Sequence, residues 1–151
     1  MGIFDWWKKA ESDHLINEDE IVFEAGKEEV AGLNFKTAID AHIRWKMRLG
    51  AVIEGASDEV LDPAVIGRDD ECALGKWIHG EGGQAFSDSI RFSELHDAHA
   101  DFHQCAARVL VAAQSGDTIH AKHLLLTGEY PRASLIVTST LAKLYARYQQ
   151  R

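Results

Sequence analysis

Between Phe92 and Ala113 the apolar residues recur at three- and four-residue intervals, and two histidines, His99 and His103, stand on the same stripe. That period commits the stretch to a helix and turns both imidazoles toward the core. A buried imidazole needs a polar partner, so the interior around this pair must supply either a shared cation or two separate carbonyls or carboxylates. His96 extends the same side of the helix.

The rest of the chain reads as helices that could pack against this one. Leu33, Ala38, Ile39, His42, Ile43, Leu49, Val52 and Ile53 follow helical spacing, with Trp45 and Met47 widening the apolar face; Gly55, Ser57 and the Asp62-Pro63 step end it. A short helix carrying Cys72, Leu74, Trp77 and Ile78 is expected next, with Asp69 or Asp70 as its N-cap and Gly80, Gly82 and Gly83 as its stop. The central helix begins near Ser87 or Phe92 and runs to Gln114. Asp117 or Thr118 caps a helix holding Ile119, His123, Leu124 and Leu126. A break at Gly128-Glu-Tyr-Pro131 precedes a last helix with Leu135, Ile136, Leu141, Leu144, Tyr145 and Tyr148 on its stripe. No strand alternation is evident. The expected fold is all-α: an antiparallel four-helix bundle with short extra helices and an N-terminal arm. The arm, residues 1–30, combines the aromatic cluster Ile3, Phe4, Trp6 and Trp7 with an acidic stretch from Glu11 to Glu29, and residues 31–151 form the bundle.

Composition narrows the function. With 46% hydrophobic residues and two widely separated prolines, the 151-residue chain can bury a core, and global disorder is excluded. A net charge of -8 without a basic run argues against nucleic acid or an anionic membrane as partner. Two cysteines make no disulfide framework, and neither a secretory segment nor a membrane-spanning stretch is present, so a cytoplasmic location and no membrane insertion are expected.

His42, Cys72, His99 and His103 together are a sufficient donor set for a closed tetrahedral zinc site. Their spacings are too long for a zinc finger, so such a site would be assembled by tertiary packing. Cys105 lies two residues beyond His103, about 200° around the helix, and is poorly placed to join. His96 is a weaker contender, and His14, His79, His120 and His123 read as ordinary surface or interhelical residues. Four protein ligands leave no open position for a substrate, so no enzyme is expected. A di-iron centre of the hemerythrin kind would need bridging carboxylates, and Asp40 and Asp101 sit two positions from their neighbouring histidines, on other faces.

The segments Ile39-Asp-Ala-His42-Ile-Arg-Trp45, Cys72-Ala-Leu-Gly-Lys-Trp77 and Leu95-His-Asp-Ala-His99-Ala-Asp-Phe-His103 resemble the chemoreceptor zinc-binding domain family, found in bacterial receptors and before some diguanylate cyclases. The similarity covers roughly Leu33 to Tyr148 and places the family's ligands on His42, Cys72, His99 and His103. It implies a helical bundle, usually a homodimer, that binds Zn2+ tightly and controls an output module in response to zinc or thiol oxidants. No such module is recognisable in this sequence, so the resemblance implies a stand-alone regulatory or sensor protein read by a separate signalling partner. The alternative is an interaction protein in which zinc is purely structural.

Overall fold

The computed structural model describes Phe23 and residues 26–149; the aromatic cluster at Ile3–Trp7 and His14 lie outside the described residues. The described chain opens with an antiparallel hairpin, β1 (Glu29–Val30) and β2 (Leu33–Asn34), in which Val30 pairs with Leu33. Its two central residues, Ala31 at φ 50° and Gly32 at φ 89°, both lie in the left-handed region, as a tight hairpin with the right-handed strand twist requires. The apolar spacing predicts no strand between Glu29 and Asn34 and places Leu33 in the first helix. Leu33 instead belongs to β2.

Asn34 then caps α1 (Phe35–Ile53), its side chain accepting a hydrogen bond from the Thr37 amide at 2.9 Å. Asp62-Pro63 starts an element: Asp62 caps α2 (Pro63–Ile66), with proline at the helix start, where its missing N–H costs nothing. The short helix α3 (Ala73–Ile78) follows, and then α4 (Glu81–Ala85). Gly82 and Gly83, expected to form a stop, lie inside α4; the turn between the two helices is made by His79 and Gly80.

The central helix α5 (Ile90–Gln114) is capped by Ser89 and α6 (Thr118–Leu126) by Asp117. Gly128, at φ 76°, separates α6 from α7 (Glu129–Gln149). Pro131 sits in the first turn of α7, where it removes no intrahelical hydrogen bond.

The four longest helices, α1, α5, α6 and α7, make the bundle, with α5 packed against the other three and α2 laid across it. Connections of two or three residues turn α5, α6 and α7 back on one another. The core is built from Phe35, Leu49, Leu95, Phe102, Leu110, Leu125 and Leu141, all fully enclosed. On α7 the buried face is Ala133, Val137, Leu141, Leu144 and Tyr145. Leu135 and Tyr148, expected on that stripe, are exposed. Beneath α3, Trp77 packs edge-on against Phe35 (ring centroids 5.3 Å apart) and against Phe92 (5.8 Å). Its indole N–H donates to the Ala31 carbonyl at 2.9 Å, fastening α3 to the hairpin.

Candidate metal centre

Two helices deliver three imidazoles to one point. His42 comes from the buried face of α1, and His99 and His103 stand one turn apart on α5; their exposures of 3%, 0% and 3% leave none of them to solvent. Cys72 arrives from the start of α3 and is only partly buried, so the cluster faces water on its sulfur side alone. One donor atom from each of the four lies within 4.8 Å of all the others, the one such group of three or more potential ligands among the described residues.

Hydrogen bonds fix which ring nitrogens face inward. The Ala38 carbonyl accepts from His42 Nδ1 at 2.7 Å, and the Ile66 carbonyl accepts from His103 Nδ1 at 2.8 Å. A carbonyl can only accept, so both protons sit on Nδ1 and both Nε2 atoms present lone pairs to the centre. His42 Nε2 is buried without a hydrogen-bond partner. His99 Nε2 lies 3.0 Å from His103 Nε2 and 3.3 Å from Cys72 Sγ, which is itself 3.5 Å from His103 Nε2. At most one proton could be shared between His99 and His103, and the His42 lone pair would still be unsatisfied. A single cation would take the three Nε2 lone pairs and the Cys72 sulfur, leaving His99 Nδ1 as the one ring nitrogen of the set buried without a partner.

The fit to zinc can be tested on these separations. Bonds of about 2.0–2.1 Å to nitrogen and about 2.3 Å to sulfur, at tetrahedral angles, place nitrogens about 3.4 Å apart and sulfur about 3.6 Å from each nitrogen. The 3.0, 3.3 and 3.5 Å observed among His99, His103 and Cys72 are within a few tenths of those edges, and the edges to His42 lie within 4.8 Å. Outer hydrogen bonds of the kind made by His42 and His103 also hold metal-ligating imidazoles in the correct tautomer.

Electrostatics point the same way. Burial lowers His42 to about 4, against a smaller opposing effect of the Ala38 carbonyl. Burial, with His42 and His103 nearby, takes His99 to about 2. His103 is lowered by burial too, partly offset by its bond to Ile66. All three rings are therefore neutral donors at ordinary pH. The Cys72 thiol is pushed up by burial, opposed by the amides at the start of α3.

One expectation about Cys72 needs correcting. Neither Asp69 nor Asp70 caps α3: Cys72 is itself the N-cap, its sulfur accepting from the Gly75 amide at 3.3 Å. The aspartates are engaged elsewhere, Asp70 with Arg68 and Asp69 with His79. Gly75 is required here, because a Cβ at that position would collide with the Asp69 carbonyl. The Leu-Gly step after Cys72 thus lets the preceding loop fold tightly over the helix start and aim the sulfur inward.

The other candidates stay outside the cluster. Cys105 is buried in the core, its sulfur 3.9 Å from Glu129 Oε2 and 3.9 Å from Arg108 Nη1. His96 is partly exposed and bonded to Asp97, and His120 and His123 are exposed. Neither Asp40 nor Asp101 joins the donor group, which leaves a bridged di-iron centre without its carboxylates. Sequence reasoning missed the Ala38 and Ile66 carbonyls and the capping sulfur; a Cys two residues before a Leu-Gly step was the available hint.

Residues 42–110 match the family model of the chemoreceptor zinc-binding domain, a span that starts at the first of the four residues and contains the other three. No curated protein and no solved structure matches the chain. Modules of this family regulate rather than catalyse, and the three-nitrogen, one-sulfur donor set within the span points to Zn2+ as the cofactor. This chain carries a chemoreceptor zinc-binding domain over residues 42–110.

Proposed function

We propose that this is a zinc-binding regulatory protein of bacterial signalling in which His42, Cys72, His99 and His103 hold Zn2+ and Cys72 is the ligand that responds. The observation that carries the reading is the convergence of four donor atoms within 4.8 Å, with the His42 lone pair buried and otherwise unsatisfied. Bound zinc keeps the sulfur as thiolate and ties α3 to α1 and α5.

Cys72 suits a response because it is the one member of the set that water reaches. Hydrogen peroxide, as oxidant, would convert its thiolate to sulfenate: the sulfur bonds one peroxide oxygen, and the other leaves as water after taking up a proton. A sulfenate is a poorer ligand and a poorer cap. Loosening α3 would disturb Trp77, whose indole N–H holds the Ala31 carbonyl, and so pass the change to the hairpin and the chain before it. We take residues 31–151 as the zinc-binding bundle and residues 1–30 as an arm. The state of the site would be read across a homodimer face or by a separate signalling protein, in the cytoplasm. Among the described residues, no helix is long and apolar enough to cross a membrane.

The test is zinc content beside a Cys72→Ser form, followed by stoichiometric peroxide while zinc release and tryptophan fluorescence are recorded in the wild type and in a Trp77→Phe form that identifies the Trp77 contribution. Release with a fluorescence change supports the responsive site. Retained zinc and unchanged fluorescence would leave zinc as a structural staple only.

A further inference from the structure

Two histidines that the four-donor set does not use stand just outside it. Cys72 and His79 cap the two ends of α3, while on α5 His96 precedes His99 by three residues, close to one turn. The α3 segment therefore carries one donor of the inner cluster and α5 two, and each adds one imidazole of an outer pair. The rings of His79 and His96 have centroids 5.5 Å apart and are inclined at 75°. Within the inner cluster the same separations are 4.5, 5.2 and 6.1 Å, at 78°, 63° and 87°. The ring separation of the outer pair thus falls within the range found inside the cluster.

Its surroundings differ from those of the inner set. The His79 and His96 side chains are 42% and 45% exposed, against rings at 0–3% inside. Carboxylates flank both: Asp69 Oδ2 lies 3.1 Å from His79 Nε2, and Asp97 Oδ1 lies 3.0 Å from His96 Nδ1. Both outer histidines are also near enough to His99 for their charges to act on it, and Asp69 acts likewise on Cys72 and His103.

We propose that His79 and His96, with water completing the shell and Asp69 holding the His79 ring, form a second, solvent-facing zinc site that passes the ion to and from Cys72 and His99. The proposal rests on the inner site binding zinc as argued above. Two imidazoles and water bind a borderline metal weakly and leave positions open, which a transfer site needs if it is to let go. The inner cluster faces solvent only at its sulfur, so an ion must enter or leave on that side. During transfer, imidazole nitrogens on the ion are exchanged for Cys72 sulfur and His99 nitrogen; the Cys72 thiol gives its proton to water, and nothing is oxidised or reduced.

The experiment titrates metal-free full-length protein with Zn2+ while following the imidazole NMR signals, then measures loading rates by stopped flow. The comparison is between wild type, His79→Gln/His96→Gln, and a control lacking two exposed histidines, His120→Gln/His123→Gln. The first equivalent should perturb His42, His99 and His103, and the second His79 and His96. The outer double variant should keep one tightly held zinc yet load it roughly fivefold or more slowly, because a captured neighbour acts at high effective concentration. The control should load like wild type. Unmoved His79 and His96 signals at the second equivalent, or equal loading rates in wild type and the outer variant, would overturn the transfer site alone. Failure of the first equivalent to reach the inner cluster would overturn the parent reading and the transfer with it.

Discussion

Zinc binding should release one proton per ion between pH 6 and 8. The count follows from the four donors taken singly. His42 and His99 are lowered to about 4 and about 2, so above pH 6 these two metal-free rings are already unprotonated and have nothing to give up, and burial lowers His103 in the same direction. Cys72 is raised above its ordinary 9.0, so below pH 8 it enters the reaction as a thiol and must lose its proton to ligate. Affinity should therefore rise with pH by one power of ten per unit. That is about 1.4 kcal/mol per unit, and roughly a hundredfold from pH 6 to pH 8. The assay is competition against a chelator of known pH dependence, paired with calorimetry in buffers of different ionisation enthalpy to count protons directly. Three histidines of ordinary basicity would each contribute part of a proton near pH 6 and steepen the slope there. A slope of two or more near pH 6 would refute the claim that burial keeps these rings neutral. A slope of zero would refute Cys72 as a thiol donor.

Substitutions at three positions test the local structure. Cys72→Ser keeps an oxygen able to cap α3 in place of the sulfur, whereas Cys72→Ala removes the cap as well. Both should lose tight zinc, but thermal denaturation of the metal-free forms should find the alanine variant less stable by about 1 kcal/mol, and equal stability would remove the capping role. Gly75→Ala forces a Cβ against the Asp69 carbonyl, so urea denaturation should show a loss of about 1–3 kcal/mol together with weaker zinc binding. Ala31→Asn places a residue tolerant of positive φ at the hairpin turn and should raise stability by a few tenths of a kcal/mol to about 1 kcal/mol; a loss of stability would contradict the turn conformation.

The helices of the bundle were legible because their apolar spacing is regular and two of their starts are marked, by Asp117 before α6 and Pro131 in the first turn of α7, whereas the Ser89 cap of α5 was not read. The His99–His103 pair was legible for the same reason, since one turn of a buried stripe places both rings on one side. Where the reading failed, tertiary structure had overruled a local signal. Leu135 is more hydrophobic than Ala133, yet Ala133 is buried, because the α5–α7 contact selects the face through Val137 and Leu141 rather than by counting large residues. Asp69 and Asp70 are better intrinsic caps than cysteine, but His79 and Arg68 draw their carboxylates away and leave the Gly75 amide to the sulfur. The hairpin escaped notice because two-residue strands show no alternation and Ala-Gly is a weak turn signature. The pairing of His79 with His96 could not be read at all, since it depends on how α3 lies beside α5.

X-ray absorption at the zinc edge of the purified protein is the most direct test of the account. One zinc per chain should show three nitrogen scatterers at about 2.0–2.1 Å and one sulfur at about 2.3 Å, with the sulfur lost in Cys72→Ser. A shell without sulfur, a shell that includes oxygen from water, or protein that takes up no zinc would contradict the claim that His42, Cys72, His99 and His103 close around a single ion.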